Sequence, residues 1–243
     1  MSDIASDKLS IVLVGAHPDD EIAAAGVLSK YRRAGHRVAI VTMTKGGMGH
    51  MTIPSEELRR IRVKEGQAAA KAIGAEIRFL DHEDSAVPHT REAALRLAEI
   101  FRELKPDIVL THNPDSAHPD HRNTGYNVTD GFYLASLPLL VTSHPWHNVK
   151  EIYFFSDGED RDIFIDITDT IETKIEAMRC HKSQFDGWLM EHQGGLDRAG
   201  KVDLYEQARM RCRAMGYKAG VAYAEGFKPF FKKTRKALDY LPI

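Results

Sequence analysis

The 243-residue chain reads as an α/β protein: a Rossmann-like three-layer sandwich built on a mostly parallel sheet. Short β-rich apolar runs alternate with longer helical patterns, which is the signature of strands joined by crossover helices. The first run is apolar almost without interruption, as a strand buried on both faces must be. Apolar residues make up 43% of the chain and charged residues 28%, enough to fill one sizeable core. There is no internal repeat, low-complexity tract or composition break, so residues 1–243 are expected to form one domain.

Residues 11–16 are the first strand, followed by an Ala- and Leu-rich helix over 20–34 that stops near Gly35. Residues 37–44 are the second strand and lead into the glycine-rich stretch 45–49, expected to be a rim loop that lets a ligand come close. Ser55 is a good N-cap, Glu56 and Glu57 suit a first turn, and Gly74 suits a helix end; together they predict a helix over 55–73. Strand three covers 76–80. A helix over 90–104 sets Ala94, Leu97, Ala98 and Phe101 on one stripe, and Lys105-Pro106 breaks it before strand four at 107–111. A helix over 119–134, strands at 151–155 and 162–166 and a helix over 168–181 follow. Right-handed crossovers then give the sheet order 3-2-1-4-5. The glycine-interrupted stretch 186–220 is expected to be a lid over the site or a surface excursion. Residues 227–235 mix aromatics with Lys and Arg and are expected to form a solvated face or an oligomer contact.

Charge and composition exclude several classes. A net charge of −2 gives no field to draw the chain to nucleic acid or to an anionic membrane. Cys180 and Cys212 have neither the spacing of a metal site nor that of a disulfide framework. No signal-peptide pattern opens the chain and no apolar run nears the roughly 20 residues of a membrane span, so a cytoplasmic protein is expected. The turn after strand one, Gly15-Ala16-His17-Pro18-Asp19-Asp20, has a single glycine and presents acids where a dinucleotide's pyrophosphate would lie.

That turn is instead one of a pair. His17-Pro18-Asp19-Asp20 follows strand one, and His118-Pro119-Asp120-His121 follows strand four after a short loop. In the order 3-2-1-4 these strands are neighbours, and the carboxyl ends at which strand order reverses are where sites form. Residues three apart on a helical turn reach neighbouring places, so His17 and Asp20 can converge while His118 and His121 reach towards the same point. Two imidazoles and one carboxylate, with a position left for water, describe a catalytic zinc site, and ferrous iron accepts the same donors. His112 and Asp115 lie near the second unit without matching a ligand position. His144, Trp146 and His147 are candidates for the mouth of the site or for an aromatic cluster.

The two units, in the forms Ala16-His17-Pro18-Asp19-Asp20-Glu21 and His118-Pro119-Asp120-His121, resemble the LmbE-like or PIG-L-like zinc-dependent N-acetylglucosaminyl deacetylases. The similarity continues in Thr44-Lys45-Gly46-Gly47-Met48-Gly49, in Arg62-Val63-Lys64-Glu65, in Lys174 with His181-Lys182-Ser183-Gln184, and in Ala224-Glu225-Gly226-Phe227. The resemblance implies zinc held by His17, Asp20 and His121, with Asp19 as general base and His118 as an electrostatic or acid helper. It also implies substrate contacts from Arg62 and Asp84, and Asp120 is a candidate to fix an imidazole tautomer. The expected partner is a small amino sugar bearing an N-acetyl group. The readings held beside it are another acylated amine or a glycopeptide, and a noncatalytic sugar-binding module.

Overall fold

The computed structural model describes residues 8–155, 161–188 and 203–231. Seven strands form one sheet in the order β3-β2-β1-β4-β5-β7-β6. In chain order these are β1 (Ser10–Gly15), β2 (Arg37–Thr44), β3 (Glu76–His82), β4 (Ile108–His112), β5 (Glu151–Phe155), β6 (Ile163–Asp166) and β7 (Ala224–Pro229). The first five pair in parallel in the expected order 3-2-1-4-5, and β7 runs antiparallel to both β5 and β6.

Alternation along β1 explains the three layers. Ile11 and Leu13 point to one face and Val12 and Val14 to the other, and all four are fully buried. Ile11 and Leu13 pack against α1 (Ala25–Arg33), α2 (Ser55–Ile73) and α5 (Ile171–Cys180), through Val27, Leu28, Ala70 and Ile171. Val12 and Val14 pack against α3 (Arg91–Leu104) and α4 (Pro119–Ala135), through Leu97, Phe101 and Val128. Each such side chain contributes about 1.5–3 kcal/mol by leaving water, which is why the central strand carries almost nothing polar.

Several expectations are corrected or filled in. The helix foreseen over 20–34 divides into a 3₁₀ turn, Asp20–Ala24, and α1, because Asp20 folds its side chain back onto strand amides and Asp19 sits at φ 119°. The cap of α2 is Pro54 rather than Ser55: Pro54 has the extended entry conformation, and no side chain caps the helix. His144 and His147 belong to the opposite end of the sheet, where they meet Glu99 and the Pro106 carbonyl just before β4. They and Trp146 are therefore remote from the site. In the stretch foreseen as a lid or excursion, α6 (Leu204–Ala219) is a capped helix running from Asp203 to left-handed Gly220, while 189–202 lie outside the described residues. Beyond it Phe227 is buried in the core as part of β7, and 232–235 again lie outside the described residues. No described helix is long and apolar enough to cross a membrane.

The late strand β7 matters because of Glu225. Its carboxylate, 1% exposed, accepts hydrogen bonds from the Gly26 and Val27 amides at 3.0 and 2.8 Å and so caps α1 from across the molecule. Lys174 of α5 neutralises it at 2.7 Å and also donates to the Ile22 carbonyl. Both partners are buried, so removing one strands the other charge. Lys174→Met is expected to cost about 3–5 kcal/mol in chemical denaturation, and Lys174→Met/Glu225→Gln together to recover much of that loss.

Candidate active site

The site begins with a close approach. A Cβ on Gly15 would lie 2.7 Å from Asp20 Cβ, so only glycine lets Asp20 fold back onto the end of β1. There Asp20 Oδ2 accepts the Ala16 and His17 amides, each at 2.7 Å, and His112 Nε2 at 2.8 Å. Those three donors occupy one oxygen, leaving Oδ1 directed at His121 Nε2, 3.5 Å away. Burial opposes the negative charge on Asp20, but His112 and His121 outweigh it and hold the carboxyl well below its usual range.

His17 has its two ring nitrogens in different company. Nε2 lies 3.1 Å from both Asp84 Oδ1 and Asp120 Oδ2, while Nδ1 faces Asp20 at 3.8 Å. Asp120 is itself fixed by the Ser85 and Val87 amides, and Asp84 by the Met48 amide. Burial works against charging His17, yet its hydrogen bonds to Asp120 and Asp84 prevail and push it up to about 10. On His121 burial dominates and drives the imidazole down to about 3. His17, Asp20 and His121 each offer an atom within 4.8 Å of the others. The second-neighbour pattern selects the atoms that suit a cation: Nδ1 of His17, Oδ1 of Asp20 and Nε2 of His121. Once His17 gives up a proton, two imidazole nitrogens and an ionised oxygen make a donor set of the kind that a divalent cation such as zinc takes.

The remaining residues line a cavity of about 410 Å³, within the usual range for small-molecule sites (roughly 300–1,000 Å³). His118 is the N-cap of α4, and its Nδ1 accepts the Asp120 amide at 3.2 Å. The proton of the neutral ring is therefore on Nε2. Burial and the charge on His17 lower its pKa, which favours the neutral ring with its hydrogen on Nε2. Asp19 is pushed up to about 6 by burial, against the pull of Arg62. Arg62, 3% exposed, donates to Asp19 Oδ1 at 2.9 Å and to the Pro18 carbonyl at 2.6 Å. The glycine loop serves this guanidinium: Gly46, at φ +69°, leaves room where a Cβ would lie 2.6 Å from Arg62. Gly46 thus makes room for Arg62, while Met48 and Gly49 of the same loop line the cavity as a rim loop would.

Both sequence units meet in this cavity, joined by Arg62 from α2, between β2 and β3, and by Asp84 from the loop after β3. Asp115 stays outside, held in its own loop by Asn113. Sequence reasoning named His112 but gave it no position in the site; it ends β4, donates to Asp20 and stacks on His121 at 3.9 Å. A histidine at the carboxyl end of the strand carrying the second unit was the available signal. Gln184, quoted with the late motif but given no role there, lines the cavity and donates to the Gly49 carbonyl.

Residues 12–131 match the family model described as PIG-L: GlcNAc-PI de-N-acetylase. A diacetylchitobiose deacetylase of Thermococcus kodakarensis is 30% identical over 192 residues, covering 74% of this chain and 72% of that protein. The chain belongs to the PIG-L family. Among solved PIG-L-like structures, an N,N′-diacetylchitobiose deacetylase from Pyrococcus horikoshii superposes with a TM-score of 0.80 at 28% identity, covering 96% of this chain and 89% of that one. A 4-oxalmesaconate hydratase of Pseudomonas putida, 23% identical, spans 94% of this chain and 92% of its own length. PIG-L relatives are therefore deacetylases in the main, with a hydratase among them.

The protonation of His17 gives a check on whether this ring is a ligand at all. A cation at Nδ1 must expel a proton that His17 otherwise keeps at neutral pH. Calorimetric zinc titrations at pH 7, in buffers of different ionisation enthalpy, are expected to show release of about one proton per ion. Heats independent of the buffer would contradict the assignment.

Proposed function

We propose that the chain hydrolyses the N-acetyl group of an N-acetylglucosaminyl conjugate or related amino sugar, as a single domain holding one divalent cation, zinc by preference, on His17, Asp20 and His121. One observation carries this reading: two adjacent carboxylates stand in opposite electrostatic environments. Asp20 is kept ionised by the histidines around it, while Asp19 is raised to about 6 and faces the cavity. Neighbouring acids with pKa values pushed apart divide into a charge holder and a proton acceptor.

When bound, the cation supplies Lewis-acid polarisation of the acyl oxygen and lowers the pKa of a water beside it. Asp19 then takes the proton of the water that adds to the amide carbon. The Nε2 hydrogen of His118 donates to the oxygen on which negative charge develops. As the carbon–nitrogen bond breaks, the proton held by Asp19 passes to the leaving amine, and acetate and the free amino sugar result. Asp120 and Asp84 hold the Nε2 hydrogen of His17 and so orient the ring, a role that binds Asp84 to the metal side more than to the sugar. Arg62 likewise acts through Asp19. A binding module would have no use for a base of raised pKa beside the cation, and this favours an enzyme.

Acetate release from N,N′-diacetylchitobiose and from N-acetylglucosamine conjugates, with detection of the new amine, tests the reaction and its substrate class together. Asp19→Asn is expected to keep its zinc and lose about 10²–10⁴-fold in kcat. Zinc-bound but undiminished turnover in that variant would remove Asp19 from the role of base. The ionised form of Asp19 is the active one, so kcat/KM is full above its pKa and falls as pH drops through it. The cation favours ionised Asp19, which places the acid limb at or below about pH 6. An acid limb well above that value would exclude Asp19 as its source.

A further inference from the structure

Glu21 and His181 are both fully buried, and neither has a part in the chemistry above. His181 Nε2 donates to Glu21 Oε1 at 2.5 Å, and the other oxygen, Oε2, accepts the amide of Asp19 at 3.0 Å. Asp19 is one of three non-glycine residues with positive φ among the described residues. A backbone in such a conformation is strained and persists only where its surroundings impose it. Two arms do so here. One is the Arg62 guanidinium on the Asp19 carboxylate and the Pro18 carbonyl; the other is Glu21 on the Asp19 amide.

The arms close into a ring. Arg62 and Glu65 lie on the same helix, α2, and Glu65 accepts both the amide and the hydroxyl of Ser183, at 2.7 and 2.6 Å. Ser183 is two residues beyond His181, which returns to Glu21. Lys174 and His181, seven apart and therefore on one face of α5 and its end, grip the turn at Ile22 and Glu21. Burying an ion pair costs several kcal/mol per charge before the pairing offsets it, so a neutral contact would have served stability as well.

We propose that Glu21 and His181 are positioning residues for the base: they hold Asp19 turned away from the neighbouring ligand Asp20, so that its carboxylate faces substrate instead of joining the donor set. Adjacent aspartates would otherwise compete for one cation. The proposal rests on the deacetylase reading, and its test separates the two.

Glu21→Gln keeps an oxygen for the Asp19 amide but gives up the charge that holds His181. Glu21→Asp keeps the charge but is one methylene too short to serve both partners, and it guards against a glutamine variant that does not fold. In full-length, zinc-loaded protein with N,N′-diacetylchitobiose as probe, both are expected to lose about 10²-fold in kcat with KM within about threefold of wild type. Zinc is held at least as tightly as before, since a released Asp19 adds a ligand. Glu21→Gln/His181→Gln is expected to be no worse than the poorer single variant, as members of one unit are. Unchanged kcat in a folded variant, or zinc lost in step with rate, overturns the proposal. Cobalt(II) substitution reads the same event without turnover: the visible bands of the Glu21 variants are expected to differ from wild type as Asp19 reaches the ion. Identical spectra overturn the proposal. A wild-type chain that leaves every acetylated sugar intact would defeat the deacetylase reading, with the cobalt spectra still deciding the role of the pair.

Discussion

Much of the site depends on a single oxygen, Oδ2 of Asp20. It collects two amides from the end of β1 and an imidazole from the end of β4, and thereby ties the two central strands together at the point where strand order reverses. That one contact explains the missing Cβ of Gly15, the 3₁₀ turn in place of a continuous helix, and the direction of Oδ1. A carboxylate so heavily supplied with donors stays ionised although it is buried. The protein thus keeps a fixed negative charge where a cation can use it, at the mouth of a sheet whose interior is otherwise apolar.

Around that charge the acids and imidazoles divide by environment more than by type. Asp84 and Asp120 converge on one nitrogen of His17 and determine which nitrogen is left over. His118 and His121 are one helical turn apart with rings 4.4 Å between centroids, yet one has its Nδ1 occupied by a backbone amide while the other directs Nε2 at Asp20. Asp19 and Asp20 are consecutive, but the positive φ at Asp19 sends their side chains to different partners. The chemistry proposed for the site follows from these separations.

The parallel half of the fold was legible because buried parallel strands are apolar runs and their helices carry strong start and stop signals. β2, α2 and β5 fall where the patterning puts them. β7 was not legible: Glu225 and Gly226 interrupt its apolar run, and the reason for Glu225 is a cap on α1 about two hundred residues away in sequence. In the site, the two paired units announced themselves, as residue types that need each other at a fixed spacing do. The roles of His112, Glu21 and His181 did not, although all three stand in or beside the sequence motifs, because each acts through a contact between distant segments. Arg62 and Asp84 were foreseen at the site, but the partner of each, Asp19 and His17, could be known only from the folded arrangement.

In the proposed arrangement the cation binds Nδ1 of His17, Oδ1 of Asp20 and Nε2 of His121, with Asp19 held apart as base. The described residues offer a rival set, His17 with Asp84 and Asp120, which uses the other nitrogen of the same ring. Anomalous diffraction from zinc-loaded crystals separates the two. One peak is expected, bonded to His17 Nδ1, Asp20 and His121 at about 2.0–2.2 Å, with Asp19 outside bonding distance. A peak on His17 Nε2 between Asp84 and Asp120, or one bonded to Asp19, would contradict that arrangement.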